Sequence, residues 1–84
     1  MRIDLHRAEV RFSRHARIRL KRINPDTEAA IDTVKNVLKT GKLVRKGEKN
    51  GNISTVVKKY KGREITVEFA YRAGHIDVVT VKVR

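Results

Sequence analysis

His15 and Arg19 stand four positions apart in a segment whose apolar residues recur with helical spacing. Residues four apart lie side by side on an α-helix. An imidazole titrates near neutral pH and can take or give a proton, whereas a guanidinium stays charged and binds phosphate oxygens with two donors. The spacing therefore makes this pair the first candidate site for phosphodiester chemistry.

A helix over residues 13–22 must position this pair, with Ser13 as a suitable N-cap. Four apolar residues fall within one arc of roughly 80° around it, namely Phe12, Ala16, Leu20 and Ile23. His15 borders that arc, where core meets water. The alternative interpretation is that His15 only packs the helix edge and that Arg19 only solvates the surface.

The chain is strongly basic. Its 84 residues include 21 Lys and Arg against 9 Asp and Glu, which gives a net charge of +12 and a pI of about 10.8. Solubility does not require such a charge, and self-repulsion weakens a compact state. A polyanionic partner explains it best. We expect RNA, with DNA as the alternative, ahead of an anionic membrane or an acidic protein.

Several classes of function are excluded by composition. The absence of Cys rules out disulfides, Cys-based zinc sites and thiol catalysis. The three His lack metal-ligand spacing and the carboxylates are scattered, so we predict no metal site and no cofactor. No apolar run approaches the ~20 residues of a membrane span, and the start lacks a signal-peptide apolar region. We expect a soluble cytoplasmic protein.

The remaining elements follow from capping signals and from a change of period. Asn24 as N-cap and Pro25 at the first helical position predict a second helix over 25–39 that ends at Gly41. Beyond Gly41 the apolar period becomes two. Strands are predicted at 42–45, 53–60, 63–71 and 76–83, with a turn or loop at 47–52, a hairpin turn at Lys61-Gly62, and a ragged end or brief edge strand at 2–5.

This order predicts one domain over residues 1–84, because so short a chain supports a single core. The fold class expected is α+β, with two N-terminal helices packed on a three- to four-stranded antiparallel sheet. The sheet face away from the helices should be polar. Residues expected on it are Glu64, Thr66, Glu68, Lys58, Tyr60, Thr80 and Lys82. Tyr60 could stack on a base there, and Glu64 or Glu68 should pair with Lys58 or Lys82, or one of them act as a general base.

The segment Ser13-x-His15-Ala16-x-x-Arg19-Leu20, followed by Arg22-Ile23, resembles the opening of a family of small domains of unknown function. The strand ending Val79-Thr80-Val81 resembles theirs too. That family is similar in layout to the barnase, colicin and RelE-type superfamily of metal-independent ribonucleases, many of them toxins. The resemblance implies a RelE-like fold, catalytic roles for His15, Arg19 and Thr80, and an acidic antitoxin as partner.

These observations predict a small basic RNA-binding protein, and the resemblance implies the metal-independent endoribonuclease activity of a toxin. The residues expected to bind nucleic acid are Arg14, Arg17, Lys21, Arg22, Lys42, Arg45, Lys46, Lys58 and Tyr60. One alternative is a non-catalytic nucleic-acid-binding protein, either ribosome-associated or a small plasmid or viral regulator. Another is a structural relative that kept the fold and lost the chemistry.

Overall fold

The computed structural model describes residues 9–47, 52–72 and 74–84. In chain order these ranges form β1 (Glu9–Phe12), α1 (Arg14–Arg19), a 3₁₀ turn (Leu20–Arg22), α2 (Thr27–Thr40), β2 (Lys42–Arg45), β3 (Ile53–Tyr60), β4 (Arg63–Arg72) and β5 (His75–Val83). The strands form one mixed sheet in the order β1-β5-β4-β3-β2. β1 runs parallel to β5, and the other neighbouring strands are antiparallel.

The predicted fold class, two N-terminal helices on a three- to four-stranded antiparallel RelE-like sheet, is wrong. A strand precedes both helices, and the described sheet has five strands with one parallel pair. Phe12 continues the helical spacing of Ala16 and Leu20, yet it pairs with Val78 of β5. Local periodicity carries no information about a pairing with the far end of the chain, so β1 was missed.

Ser13 joins α1 to β5. Its hydroxyl accepts a hydrogen bond from the backbone N–H of Ala16 (3.1 Å) and donates one to the carbonyl of Val79 (2.9 Å). Its own backbone N–H donates to the carbonyl of Val78 (2.9 Å). The predicted N-cap is therefore confirmed. The predicted helix over 13–22 is α1 together with the 3₁₀ turn, in which Ala16 and Leu20 are buried.

α2 begins two residues later than predicted. Asp26, not Asn24, is the N-cap, and its carboxylate accepts hydrogen bonds from the backbone N–H groups of Glu28 (3.0 Å) and Ala29 (3.3 Å). The side-chain oxygen of Asn24 accepts instead from the backbone N–H of Asp26 (2.9 Å). Such a local turn uses the same residue types as a cap, which explains the shifted boundary.

Gly41 ends α2 as predicted, but for a different reason. Its φ of −72° is not left-handed. A Cβ built on Gly41 would lie 2.5 Å from the carbonyl oxygen of Val37 and 2.5 Å from Cγ1 of Val56. Glycine therefore allows the end of α2 to approach β3 closely, which fixes the helix over the sheet.

The β3–β4 hairpin agrees with the sequence. β3 spans Ile53–Tyr60 as predicted, and Lys61 and Gly62 both have positive φ (51° and 76°), as in a type I′ turn. β4 and β5 each extend one residue beyond prediction. The predictions for residues 2–5 and for most of the 47–52 loop fall outside the residues that the structure describes.

One core lies between the helices and one face of the sheet. Its buried members include Leu20, Val34, Val37, Val56, Ile65, Val67, Phe69, Ile76, Val78 and Val81. The opposite face, here called the open face, carries Glu64, Thr66 and Glu68 as predicted, in register with Lys82 and Thr80. The placement of Lys58 and Tyr60 on it was wrong. They pair with Ile65 and Arg63, and Ile65 is a core residue, so both lie on the helix side.

Within the described ranges, none of the helices combines the length and the apolar composition that crossing a membrane requires.

Candidate nucleic-acid interface

The carboxylates of the described residues occupy two regions. Those of the open face are Glu9, Glu64, Glu68 and Asp77, and those at the N-cap and in the first half of α2 are Asp26, Glu28 and Asp32. Three stretches of more than ten residues contain no acidic residue: residues 10–25, 33–47 and 49–63. Residues 13–25 and residues 33–47, here called the first and second basic segments, carry five Lys or Arg each. The third stretch carries five as well, among them Lys58, Lys61 and Arg63.

Part of the charge on the open face is paired within the face. Arg11 lies 3.1 Å from Glu9, Lys82 lies 3.7 Å from Glu68, and Asp77 contacts both Arg72 (3.5 Å) and His75 (3.3 Å). The prediction that Glu68 pairs with Lys82 is confirmed. These carboxylates partly neutralise the part of the open face that β1, β4 and β5 form, so that part attracts a polyanion less than the first basic segment does.

The contact between Glu9 and Arg11 shifts the pKa of both side chains. The hydrogen bond and the charge of Arg11 lower the pKa of Glu9 below its ordinary value. The same contacts from Glu9 raise the pKa of Arg11. Both side chains are exposed to solvent, so screening keeps the contribution of the pair to stability small.

The first basic segment presents its cations to solvent. Arg14, Arg17, Lys21 and Arg22 are exposed, whereas Arg19 is half-buried. Among the described residues, no carboxylate lies within ion-pair distance of these five side chains. Ile18, 66% exposed, stands among them. With respect to the carboxylates that the structure describes, these cations keep their full charge for an external anion.

The three residues expected to be catalytic do not all share one face. His15 and Arg19 both belong to α1, one helical turn apart, and His15 is exposed. Thr80 stands in register with Glu68 on the open face, whereas Ala16 and Leu20 hold α1 against the core on the other side. The fold therefore keeps the imidazole and the guanidinium together on one helix and turns Thr80 toward the opposite face of the sheet.

The second basic segment covers the end of α2 and β2. Its exposed cations are Lys35, Lys39, Lys42, Arg45 and Lys46. Lys42 and Arg45 pair with Val57 and Thr55, whose partners on β4 are Thr66 and Glu68, so these two cations lie on the open-face side of the sheet. Lys58 is placed differently, because its ammonium donates to the side-chain oxygens of Asn36 (2.7 Å) and Thr40. These bonds connect β3 to α2. Lys58 thus positions the helix over the sheet, and its charge lies on the helix side of the sheet, as α2 does.

A groove of about 460 Å³ opens between α2, the end of the 3₁₀ turn and the β3–β4 hairpin. Its lining residues are Ile23, Asn24, Ala29, Asp32, Thr33, Asn36, Tyr60, Lys61, Arg63, Ile65 and Val83. Tyr60 is half-buried, and the ammonium of Lys61 lies 5.4 Å from the centroid of its ring. Arg63 stands beside Tyr60 in the strand register. Aromatic, cationic and amide groups therefore meet in one concave site.

The groove lies where the first basic segment meets the hairpin. Ile23 and Asn24 directly follow the exposed Arg22 and form one wall, while Lys61 and Arg63 come from the hairpin. The sequence identified Tyr60 as a stacking residue but not Lys61, Arg63, Asn24 or Asn36. The positive-φ turn at Lys61-Gly62 fixes the register that brings Tyr60 opposite Arg63. This predicted turn was therefore the sequence signal from which the position of Arg63 beside Tyr60 could have been inferred.

Within the ranges 9–47, 52–72 and 74–84, no three His, Asp or Glu side chains cluster in a way that could hold a metal ion. Comparison of the chain with models of protein families, with curated proteins and with solved structures found no match. The assignment of function therefore depends on the geometry and charge of the chain itself.

Proposed function

We propose that this protein binds RNA through the surface formed by its two basic segments, residues 13–25 and 33–47. The observation that carries the proposal is the segregation of charge. The described carboxylates occupy the open face and the start of α2, and the two segments contain none. Each Lys or Arg that neutralises a phosphate releases a condensed counterion, and this release favours binding to a dense polyanion.

Direct binding to labelled RNA at increasing salt tests the proposal. We expect the logarithm of the binding constant to fall linearly with the logarithm of salt concentration, with a slope of about −0.7 per phosphate contact for single strands. Matched single-stranded DNA and duplex RNA serve as comparison ligands. Failure of the protein to bind any of them at low salt would refute the proposal, and tighter binding to DNA would replace RNA as its ligand.

Cleavage of the bound RNA is a second proposal, favoured by the exposed His15 one turn from Arg19 on α1. His15 would move the proton of a ribose 2′-OH, and Arg19 would stabilise charge on the phosphate. The test is incubation with structured RNA in EDTA, where cleavage lost in His15→Ala with unchanged RNA affinity is the expected result. Intact RNA after incubation with the wild-type protein would leave binding as the function.

A further inference from the structure

We propose that the groove between α2 and the β3–β4 hairpin holds one unpaired base of the RNA, stacked on Tyr60, with the adjoining phosphates at Lys61 and Arg63. The inference depends on the RNA binding proposed above and assigns the part of that surface that contacts a base. Sequence-specific recognition of RNA mostly uses unpaired bases stacked on aromatic side chains.

The size and lining of the groove fit a nucleobase. A volume of about 460 Å³ lies within the range of small-ligand sites, roughly 300–1,000 Å³. Ile65 and Val83 supply apolar surface, and the half-buried Tyr60 supplies an aromatic ring held in place by its contacts with the core. A ring that is already positioned loses little freedom on stacking, so binding there costs little entropy.

The charges around the groove suit the phosphates on either side of a stacked base. Lys61 and Arg63 line the hairpin side, and Arg22 is exposed immediately before Ile23 and Asn24 on the opposite wall. A strand that crosses the groove would therefore meet cations as it enters and as it leaves. Asp32 is the acidic residue of the groove lining.

The polar groups on the α2 side favour a keto base. The side-chain oxygen of Asn36 accepts from Lys58, and that of Asn24 accepts from the backbone of Asp26, so both amide N–H₂ groups can donate to a ligand. The carboxylate of Asp32 accepts. Uracil and guanine present carbonyl oxygens beside a ring N–H, which matches these donors and this acceptor. Cytosine lacks the ring N–H, so we expect it to bind less tightly.

Tyrosine fluorescence tests the inference directly, because the chain contains two Tyr and no Trp. Tyr71→Phe leaves Tyr60 as the reporter, and Tyr60→Phe leaves Tyr71, which lies at the other end of β4, roughly 26 Å along the strand from Arg63. Oligouridylate should quench the fluorescence of the Tyr71→Phe protein saturably and leave that of the Tyr60→Phe protein nearly unchanged. Both substitutions keep an aromatic ring, so both proteins should fold.

Affinity measurements complete the test. Tyr60→Ala should weaken oligouridylate binding by about tenfold or more, and Tyr71→Ala should leave it unchanged. Because Tyr60 also packs against the core, thermal unfolding of each variant verifies that it is folded. The wild-type protein should bind oligouridylate more tightly than oligocytidylate of equal length.

The outcomes separate the two proposals. Binding of oligouridylate without quenching of Tyr60 would overturn the groove assignment and leave RNA binding intact. Equal affinity for oligouridylate and oligocytidylate would overturn the preference for a keto base. Absence of binding to any RNA would overturn both the groove assignment and the function from which it follows.

Discussion

Single residues in this molecule differ in how much of their role is set by neighbours in the chain. Ser13 caps α1 through the N–H of Ala16, three residues away, and this role could be predicted from residue type and position. Tyr60 and Lys58 owe their positions to pairing with Arg63 and Ile65 on β4. A shift of one residue in that register would move both to the open face. Their surroundings could not be predicted from local pattern.

The ion pair at Glu9 gives a prediction at this scale. Arg11→Gln should raise the pKa of Glu9 toward its ordinary value, because the wild-type pKa is lowered mainly by the hydrogen bond and charge of Arg11. A carboxyl group with a lowered folded-state pKa adds stability above its unfolded pKa, and that stability is lost as pH falls through the folded pKa. NMR titration of the Glu9 carboxyl carbon measures the shift.

Arg72→Gln is the matched control for that titration, because Arg72 contacts Asp77 and not Glu9. The pKa of Glu9 should stay low in this variant. An unchanged pKa of Glu9 in Arg11→Gln would show that the pair does not form in solution.

The elements were predictable where their signals are local. Strands β2 and β3, the Lys61-Gly62 turn and the existence of both helices follow from periodicity and turn chemistry. β1 was not predictable in the same way, because the polar–apolar alternation of Glu9–Phe12 covers only four residues and Phe12 also fits the helical spacing of Ala16 and Leu20. The strand forms by parallel pairing with β5. Parallel pairs join distant parts of a chain, and local spacing does not report them.

Gly41 gives a prediction at the scale of elements. Because the space at Gly41 is limited by Val37 and Val56, and its φ is not left-handed, both Gly41→Ala and Gly41→Asn should destabilise the fold. The expected cost is about 1–3 kcal/mol, as for other overpacked sites. Urea denaturation measures it. A left-handed C-cap would instead accept Asn readily.

Gly62→Asn is the control for this prediction. Gly62 has a positive φ of 76°, a Cβ added to it would meet nothing within 4 Å, and Asn is well suited to such a turn. Its substitution should cost much less than the same change at Gly41. Equal effects at the two positions would contradict the close approach of α2 to β3.

At the scale of the whole molecule, the fold determines on which surface each charged side chain lies, whereas the sequence gives only the number of charges. The composition predicts a polyanionic partner from a net charge of +12. The structure adds that part of the open face is internally paired, while the cations of α1 and of the α2–β2 region face solvent. Net charge alone could not locate this surface, because its position depends on strand order and register.

The position of the groove also depends on the tertiary arrangement. The positively charged hairpin and the end of the first basic segment approach each other only because β3 and β4 lie under the start of α2. The sequence supplied the aromatic residue and the cations, and the tertiary arrangement brings them to one site. A polyanion bound along the basic segments would pass this site, which links the two proposals.

The most direct test of the central claim compares two double variants that each remove two positive charges. Arg14→Gln with Arg17→Gln alters the first basic segment, and Arg72→Gln with Lys82→Gln alters the open face. We predict that the first pair of substitutions reduces the slope of log K against log salt concentration by the equivalent of about one to two phosphate contacts. The second pair should leave that slope nearly unchanged. Equal flattening by both pairs would contradict the claim, because binding would then follow net charge and not the segregated surface.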